Sequence, residues 1–221
     1  MEKSLRECMK KRVERTRGNL DKNCIDSYFV ESREQVIPLL KTLLTPGDTV
    51  TVGGSVTLDE CGIPAFLAGG DYKYLDRYDE SLTRDQVEEI FRAAFSADAY
   101  ICSANAVTEQ GEIYNVDGNS NRVAAILYGP KSVIMVCGWN KIVRDLDQAV
   151  LRVKNISAPS NAARLSCDTY CATAGRCVGD RGGLADGCAC DGRICCNYVV
   201  SAKQRHPGRM KVVFVGEELG Y

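Results

Sequence analysis

The sequence predicts an α/β fold built on a mainly parallel sheet. Three observations carry this. Strand-like and helix-like runs alternate up to about residue 160, the order expected of successive β–α units. SVIMVCGW is a continuous apolar run, as in a strand buried on both faces. The composition is globular: of 221 residues, 45% are hydrophobic and 26% charged. That supplies a core for one domain and excludes wholesale disorder.

The elements follow in order. Residues 2–17 place Leu5, Cys8, Met9 and Val13 at helical spacing among Lys and Arg, an amphipathic helix docked on the core. IDSYFVES alternates like a strand, REQVIPLLKTLL reads as a helix, and TPGD is a turn. TVTVGG is a strand that runs through glycines into one helix, SVTLDECGIPAFLAG. YKYLDRY is a short strand. SLTRDQVEEIFRAAFSA opens with a Ser/Thr cap ahead of acidic residues, so it is a helix. DAYICSA is a buried strand. GEIYNVDGNSNRVAAILYG has a turn-rich centre before a short helix. After SVIMVCGW comes the helix LDQAVLRVKNISA, and APSNAARL is a helix cap with its first turn, or a binding segment. NYVVSA and MKVVFVGEE, joined by a Pro/Gly turn, read as a closing pair of strands.

Charge and residue counts narrow the function. Lys and Arg number 28 against 29 Asp and Glu, a formal net charge of −1. Nonspecific nucleic-acid binding needs a broad basic surface and is not expected. No apolar run approaches the roughly 20 residues of a membrane span. The charged N-terminus has no apolar core like that of a signal peptide, so the expected location is cytoplasmic. The single histidine, His206, lies in a Pro/Gly loop, which argues against His triads, HExxH zinc sites and multi-His iron sites.

Two polar stretches are candidate sites. VGGSVTLDE has the layout of an anion site, with glycines for close approach and Ser55 and Thr57 as hydroxyl donors. Glu60 is a functional acid or base, or a carboxylate favoured by the helix dipole. The GxxxxGK[ST] and GxGxxG patterns are absent, so ATP and NAD are not indicated. In SANAVTEQGEIYNVDGNSNRVA, eight polar groups crowd between two apolar elements: Asn105, Thr108, Glu109, Asn115, Asp117, Asn119, Asn121 and Arg122. Turn chemistry explains one such group. A cluster after a buried strand fits the strand-end ligand sites of parallel sheets. Asp117 is the best carboxylate candidate, and Arg122 the best anion partner. Asn140 and Lys141 follow SVIMVCGW. Lys141 is an anion contact, a base if burial lowers its pKa, or a solvated surface lysine. Asn161 and Arg164 lie in APSNAARL.

These motifs, with WNKIV and the closing VGEELGY, resemble the lactate-utilisation (LUD) domain family over nearly the whole chain, in particular its stand-alone members. The resemblance implies a single LUD domain over residues 1–221. Its fold is like that of ribose-5-phosphate isomerases and CoA transferases, with helices on both faces of the sheet. Gly53, Gly54, Ser55, Thr57 and Glu60 match the first family motif. Asn105, Thr108, Asn115, Asp117, Asn121 and Arg122 match the second. Asn140 and Lys141 match the third, and Asn161 with Arg164 the fourth. The family pattern DGxGNR is DGNSNR here, so Ser120 stands in place of a glycine. A serine there narrows the pocket or adopts a less comfortable backbone angle.

Seven of the twelve cysteines lie between Cys167 and Cys196, which in a cytoplasmic chain points to metal or redox chemistry. The ferredoxin spacing CxxCxxCxxxC and paired CxxC knuckles are both absent. Stand-alone family members resemble this segment through a cysteine quartet spaced x5, x2, x6. Cys171 and Cys177 match the first spacing, and Cys188 and Cys195 the last. Ten residues separate the middle pair, so Cys190 competes with Cys188 as third ligand. Residues 167–196 are therefore expected to be a metal-binding insertion. An iron–sulfur cluster leads because the family context is redox, structural zinc is the alternative, and free thiols or a disulfide are the third option. Cys102 and Cys137 lie in apolar strands and are expected to pack in the core. Cys61 is a weak candidate nucleophile.

The resemblance implies organic-acid metabolism, with relatives acting in an iron–sulfur complex that oxidises L-lactate to pyruvate. The expected ligand is a small anionic metabolite, carboxylate or phosphate. Glu60, Asp117 and Lys141 are the candidate catalytic groups, and redox partner proteins and a homo-oligomer are among the expected associations. An oxidoreductase component is one outcome. The alternatives are a non-catalytic accessory or metabolite-binding subunit, and an isomerase or acyl-transfer enzyme of the same fold.

Overall fold

The computed structural model describes residues 2–221. In chain order the elements are α1 (Lys3–Lys22), β1 (Asp26–Val30), α2 (Val36–Leu43), β2 (Thr49–Val52), α3 (Val56–Glu60), α4 (Ile63–Leu67), β3 (Lys73–Leu75), α5 (Arg84–Ala93), β4 (Ala99–Cys102), β5 (Ala106–Thr108) and β6 (Ile113–Asp117). There follow α6 (Asn121–Leu127), β7 (Ser132–Gly138), β8 (Ile142–Val143), α7 (Leu146–Arg152), α8 (Ala158–Arg164), α9 (Tyr170–Ala174), β9 (Asn197–Ser201) and β10 (Met210–Val215).

The main sheet has six strands in the order β1-β10-β7-β4-β2-β3. Every pairing in it is parallel. This is the α/β architecture that the alternation predicts. Side chains on a strand alternate between faces, and here both faces are buried. Tyr100, Cys102, Val133, Met135, Cys137, Val212 and Phe214 pack with Val13 and Leu20 of α1 and Ile126 of α6. Their neighbours Ile101, Ile134, Val136, Val213 and Val215 pack with Val36 and Leu40 of α2, Leu58 of α3 and Ile63 of α4. Double burial explains why residues 133–138 of β7 and residues 212–215 of β10 read as apolar runs. Cys102 and Cys137 sit fully buried in this core.

Three sequence expectations are corrected. SVTLDECGIPAFLAG is not one helix: Gly62 adopts φ +67° between α3 and α4. Pro64 sits in the first turn of α4, where its ring is compatible with a helix start. The stretch GEIYNVD is a strand, β6, rather than turn. It belongs to a second sheet of order β8-β5-β6-β9, which packs Ala106, Tyr114 and Val116 against α7 and α8. Finally, β9 and β10 are not partners. β9 pairs antiparallel with β6, whereas β10 lies between β1 and β7. The apolar run of residues 212–215 in β10 is buried on both faces, as suits a strand in the sheet interior.

Local chemistry fixes the helix ends. Thr83 and Gln86 form a reciprocal capping box on α5. Asp145 caps α7 by accepting from Gln148 N. α7 continues through a π-helical turn, Val153–Ser157, into α8. That widened turn buries both Lys154 and Ser157. No helix among the described residues is long and apolar enough to cross a membrane.

Candidate functional site: a cationic cavity at the strand ends

In a parallel sheet, ligand crevices form beyond the carboxyl ends of the strands. A cavity of about 390 Å³ lies there. Gly54, Ser55 and Thr57 follow β2, Arg77 follows β3, and Ser103 and Asn105 follow β4. Lys141 follows β7, and Gly220 with Tyr221 follows β10. The opposite wall comes from the end of β6 (Asp117), the start of α6 (Asn121, Arg122), α8 (Asn161, Arg164) and the cysteine segment (Arg193, Cys195, Cys196). The wall therefore holds five cationic side chains, Arg77, Arg122, Lys141, Arg164 and Arg193, against one carboxylate, Asp117.

Lys141 is the most unusual of these. Only 3% of it is exposed. Its Nζ donates to Thr57 Oγ1 and Ser103 Oγ, both at 2.9 Å. The two hydroxyls are themselves oriented, because Ser103 donates to Val136 O at 2.6 Å and Thr57 to Leu219 O at 3.3 Å. Neutral hydroxyls do not repay the desolvation of an ammonium. Burial pulls the Lys141 pKa down to about 8. Cys137 pulls the other way, and Arg152 and Arg122 add to the lowering, with Glu60 a smaller opposing influence.

Arg122 is held differently. Its terminal nitrogens donate to Asn115 Oδ1 at 2.7 Å, Asn105 Oδ1 at 3.0 Å, and the carbonyls of Ser103 and Val116 at 3.1 and 2.7 Å. It pins the two sheets together and lends the cavity its charge, with its terminal donors already used. Arg77, which the sequence reading missed, stacks over Phe91 at 4.6 Å and Tyr78 at 5.3 Å. Its Nε is buried with no hydrogen-bond partner among the described residues. That nitrogen is closed to solvent, so an external anion would meet the terminal nitrogens of this cavity-lining guanidinium instead. Arg164 bonds Asn161 Oδ1 at 2.8 Å and Tyr221 Oη at 2.7 Å.

The structure brings most of the candidate residues together and sorts the others. Gly54, Ser55, Thr57, Asn105, Asp117, Asn121, Arg122, Lys141, Asn161 and Arg164 line the cavity. Gly53 stands behind it. A Cβ there would lie 2.9 Å from Tyr100 Oη and 3.2 Å from Arg122 Cδ, so this glycine permits close packing under Arg122. Asn115 also lies beneath Arg122, fully buried. Thr108 is elsewhere: its hydroxyl bonds Glu112 Oε2 at 2.9 Å inside the β5–β6 turn. Glu109 pairs with Arg12 and Arg15 of α1 at 2.6 and 3.1 Å. Glu60 Oε2 accepts from Gly220 N at 2.8 Å, and Asn140 Oδ1 from Leu219 N at 3.2 Å. Those two residues moor the last segment instead of facing the cavity. Asp117 Oδ2 accepts from Val123 N at 3.0 Å. Cys61 is buried, and its thiol is pushed up to about 11, chiefly by burial, so it is not an activated nucleophile. Ser120 takes the left-handed φ of +67°, the strained angle foreseen for a residue standing in place of glycine.

Arg77 carried no motif signal, and Ser103 and Tyr221 lay in quoted motifs without being singled out. Their position was the signal: each follows the carboxyl end of a parallel strand.

The cysteine segment adjoins this cavity. Cys171, Cys177, Cys188 and Cys195 line one enclosed cavity of about 20 Å³ with Lys154 and Arg193. Cys190 is exposed and is not part of that wall. Lys154 Nζ donates to the carbonyls of Gly179 and Gly183, both at 2.6 Å. Cys195 is pushed up to about 12, first by burial and then by the neighbouring Cys171 and Cys177 thiols. Four soft donors beside two cations suit a thiolate-bound metal centre in donor type and charge. Among the described residues, no group of three or more His, Cys, Asp or Glu is gathered closely enough to hold a metal ion. Val153, Ala158, Arg193, Ile194 and Cys195 line both cavities.

Fold and site together define an α/β protein with a cationic crevice at the strand ends of a parallel sheet. A family model described as the LUD domain matches residues 13–215, and the chain belongs to that family. Among solved structures, it is similar to a DUF162 family protein from Deinococcus radiodurans. Identity is 16%, with 95% of this chain and 97% of that chain covered, at a TM-score of 0.46. It is also similar to eIF2B beta from Chaetomium thermophilum. There identity is 19%, with 52% and 43% covered, at a TM-score of 0.35. No curated protein matches the chain. Family membership supports a lactate-utilisation-related protein.

Proposed function

We propose that the strand-end cavity binds a small anionic metabolite, a carboxylate or a phosphate, as part of organic-acid metabolism. The observation that carries this is the charge of the wall: five cationic side chains to one carboxylate. A cleft so charged concentrates anions more strongly than a flat surface patch of equal charge would. Arg77 is the anchor, because it lines the cavity and is held by stacking on Phe91 and Tyr78. Ser55 and Asn121 supply further donors, and Arg122 contributes charge. Asp117 and Lys141 are the groups that exchange protons with the bound molecule.

In this reading the chain is one domain, and residues 167–196 form a metal-binding insertion held by Cys171, Cys177, Cys188 and Cys195. An iron–sulfur cluster there would supply electron transfer to a redox partner, and zinc would supply a crosslink. The protein would then serve as a component of a lactate-oxidising system.

Calorimetry on the purified protein tests the anion reading, with L-lactate, pyruvate, inorganic phosphate and a sugar phosphate as probes. At least one is expected to bind, and Arg77→Ala should weaken it by about tenfold or more, the worth of a charged hydrogen bond. Because Lys141 loses its proton near pH 8, affinity should fall as pH rises through that value. Absence of binding by every probe at millimolar concentration would overturn the reading. Asp117→Asn should abolish turnover while leaving the melting temperature near that of the wild type.

A further inference from the structure

We propose that Lys141 is a nucleophile that forms an imine with a small carbonyl compound carrying a carboxylate or phosphate. The proposal rests on the anion-site reading above and adds the class of the reacting group. An anion contact alone does not account for how this lysine is built. A buried lysine kept as a permanent charge is ordinarily paired with a carboxylate. Lys141 has instead two hydroxyl acceptors, Thr57 and Ser103, each aimed by a donation to a main-chain carbonyl. Both hydroxyl protons are committed elsewhere, so neither hydroxyl can donate back to a neutral amine. Two of the three ammonium hydrogens point at fixed partners, and Lys141 lines the cavity. Amines are activated as nucleophiles in this way, by desolvation and by nearby cations. Arg122 and Arg152 are the nearby cations.

A carbonyl carbon is the electrophile that such an amine takes without a further reagent. The neutral amine adds to the carbonyl carbon, forming a C–N bond while the C=O pair moves to oxygen. That oxygen takes one proton while the nitrogen gives one up, giving a neutral carbinolamine. A second proton transfer releases it as water, breaking the C–O bond and leaving the protonated imine. Asp117 is the single carboxylate of the wall and is the group that relays these protons. No oxidant or reductant is consumed. The charged tail of the substrate sits against the guanidinium groups, which draws the carbonyl compound out of solution and orients it.

The test is reductive trapping on the full chain. Pyruvate represents the carboxylate source, and glyceraldehyde 3-phosphate the phosphate source. Each is incubated with the protein, reduced with borohydride, and mapped by peptide mass spectrometry. One of the two should leave a single reduced adduct on Lys141, with labelling there exceeding that at every other lysine. With only 3% of Lys141 exposed, unselective amine chemistry would favour the surface lysines instead. Lactate or glycerol 3-phosphate, which carry the anion without the carbonyl, should protect Lys141. Lys141→Arg should lose the adduct.

If lactate or glycerol 3-phosphate binds and neither carbonyl probe labels Lys141, the imine proposal is overturned and the anion reading stands. If labelling is spread over exposed lysines and is the same in Lys141→Arg, the proposal is likewise overturned. If none of the four compounds binds, both readings fall. Mapping of the wild-type protein alone decides the matter should the variant prove insoluble.

Discussion

A single buried ammonium makes Lys141 a measurable liability. Its folded pKa is about 8, below the value of about 10.4 of an unfolded chain. Between those values the unfolded state binds more protons, so stability rises with pH across that window. The penalty is fully present below pH 8 and vanishes above about pH 10. At about 1.4 kcal/mol per unit, its size is about 3 kcal/mol. Lys141→Met is expected to raise the melting temperature at pH 7, by an increment that shrinks steadily between pH 8 and 10. A constant difference across that range would show that the lysine is not desolvated. At this scale the sequence was partly legible. Lys141 could be singled out, but its burial could not, because burial comes from the distant Thr57, Ser103 and Leu219. Ser120 shows the reverse case. Its departure from glycine announced the left-handed angle, while the hydrogen bond that steadies it, from Asn197 Nδ2 at 2.6 Å, depends on a strand 77 residues away.

Among the elements, the β5–β6 hairpin shows how tightly α1 is docked. Gly111 in its turn has φ +82°, and a Cβ there would lie 2.7 Å from the main chain at Asn19 and Leu20. Gly111→Ala combines a disfavoured angle with overlap against rigid backbone. It should cost about 2–4 kcal/mol by chemical denaturation. In the cysteine segment, Lys154→Met removes a cation from three carbonyls, those of Gly179, Gly182 and Gly183. Hydrogen exchange should then speed up across residues 179–183 while the main-sheet strands stay protected. Spacing left Cys188 and Cys190 as rivals; Cys188 lines a cavity with Cys171, Cys177 and Cys195, whereas Cys190 is exposed, and the proposed ligand set takes Cys188. After anaerobic reconstitution with iron and sulfide, or with zinc, Cys188→Ser should lose the metal and Cys190→Ser should keep it. Equal metal content in the two variants would contradict that assignment. Strands and helices themselves were legible where local periodicity is strong, as in α5 and β7. The second sheet was not, because β6 is framed by Asn, Asp and Gly, which read as turn.

For the whole molecule, alternation revealed a parallel sheet but not its order. β10 pairs with β1 and β7, contacts that are far apart in sequence and leave no local trace. The candidate residues converge on one cavity because five strands end at the same edge and the second sheet closes over it. The two cavities share the wall of Val153, Ala158, Arg193, Ile194 and Cys195. A change in the packing of the cysteine segment must therefore alter the shape of the anion cavity.

The place of β10 has a consequence for synthesis on the ribosome. Until Met210–Val215 has been made, β1 and β7 each present an unpaired parallel edge with a one-strand gap between them. The growing chain can assemble β7, β4, β2 and β3, but its first strand must wait for its last. Open edges of this kind invite pairing with other chains, so stalled or prematurely ended translation products should be sticky. Chains released before residue 210 are expected to recruit chaperones or aggregate, whereas the complete chain closes the gap in one step.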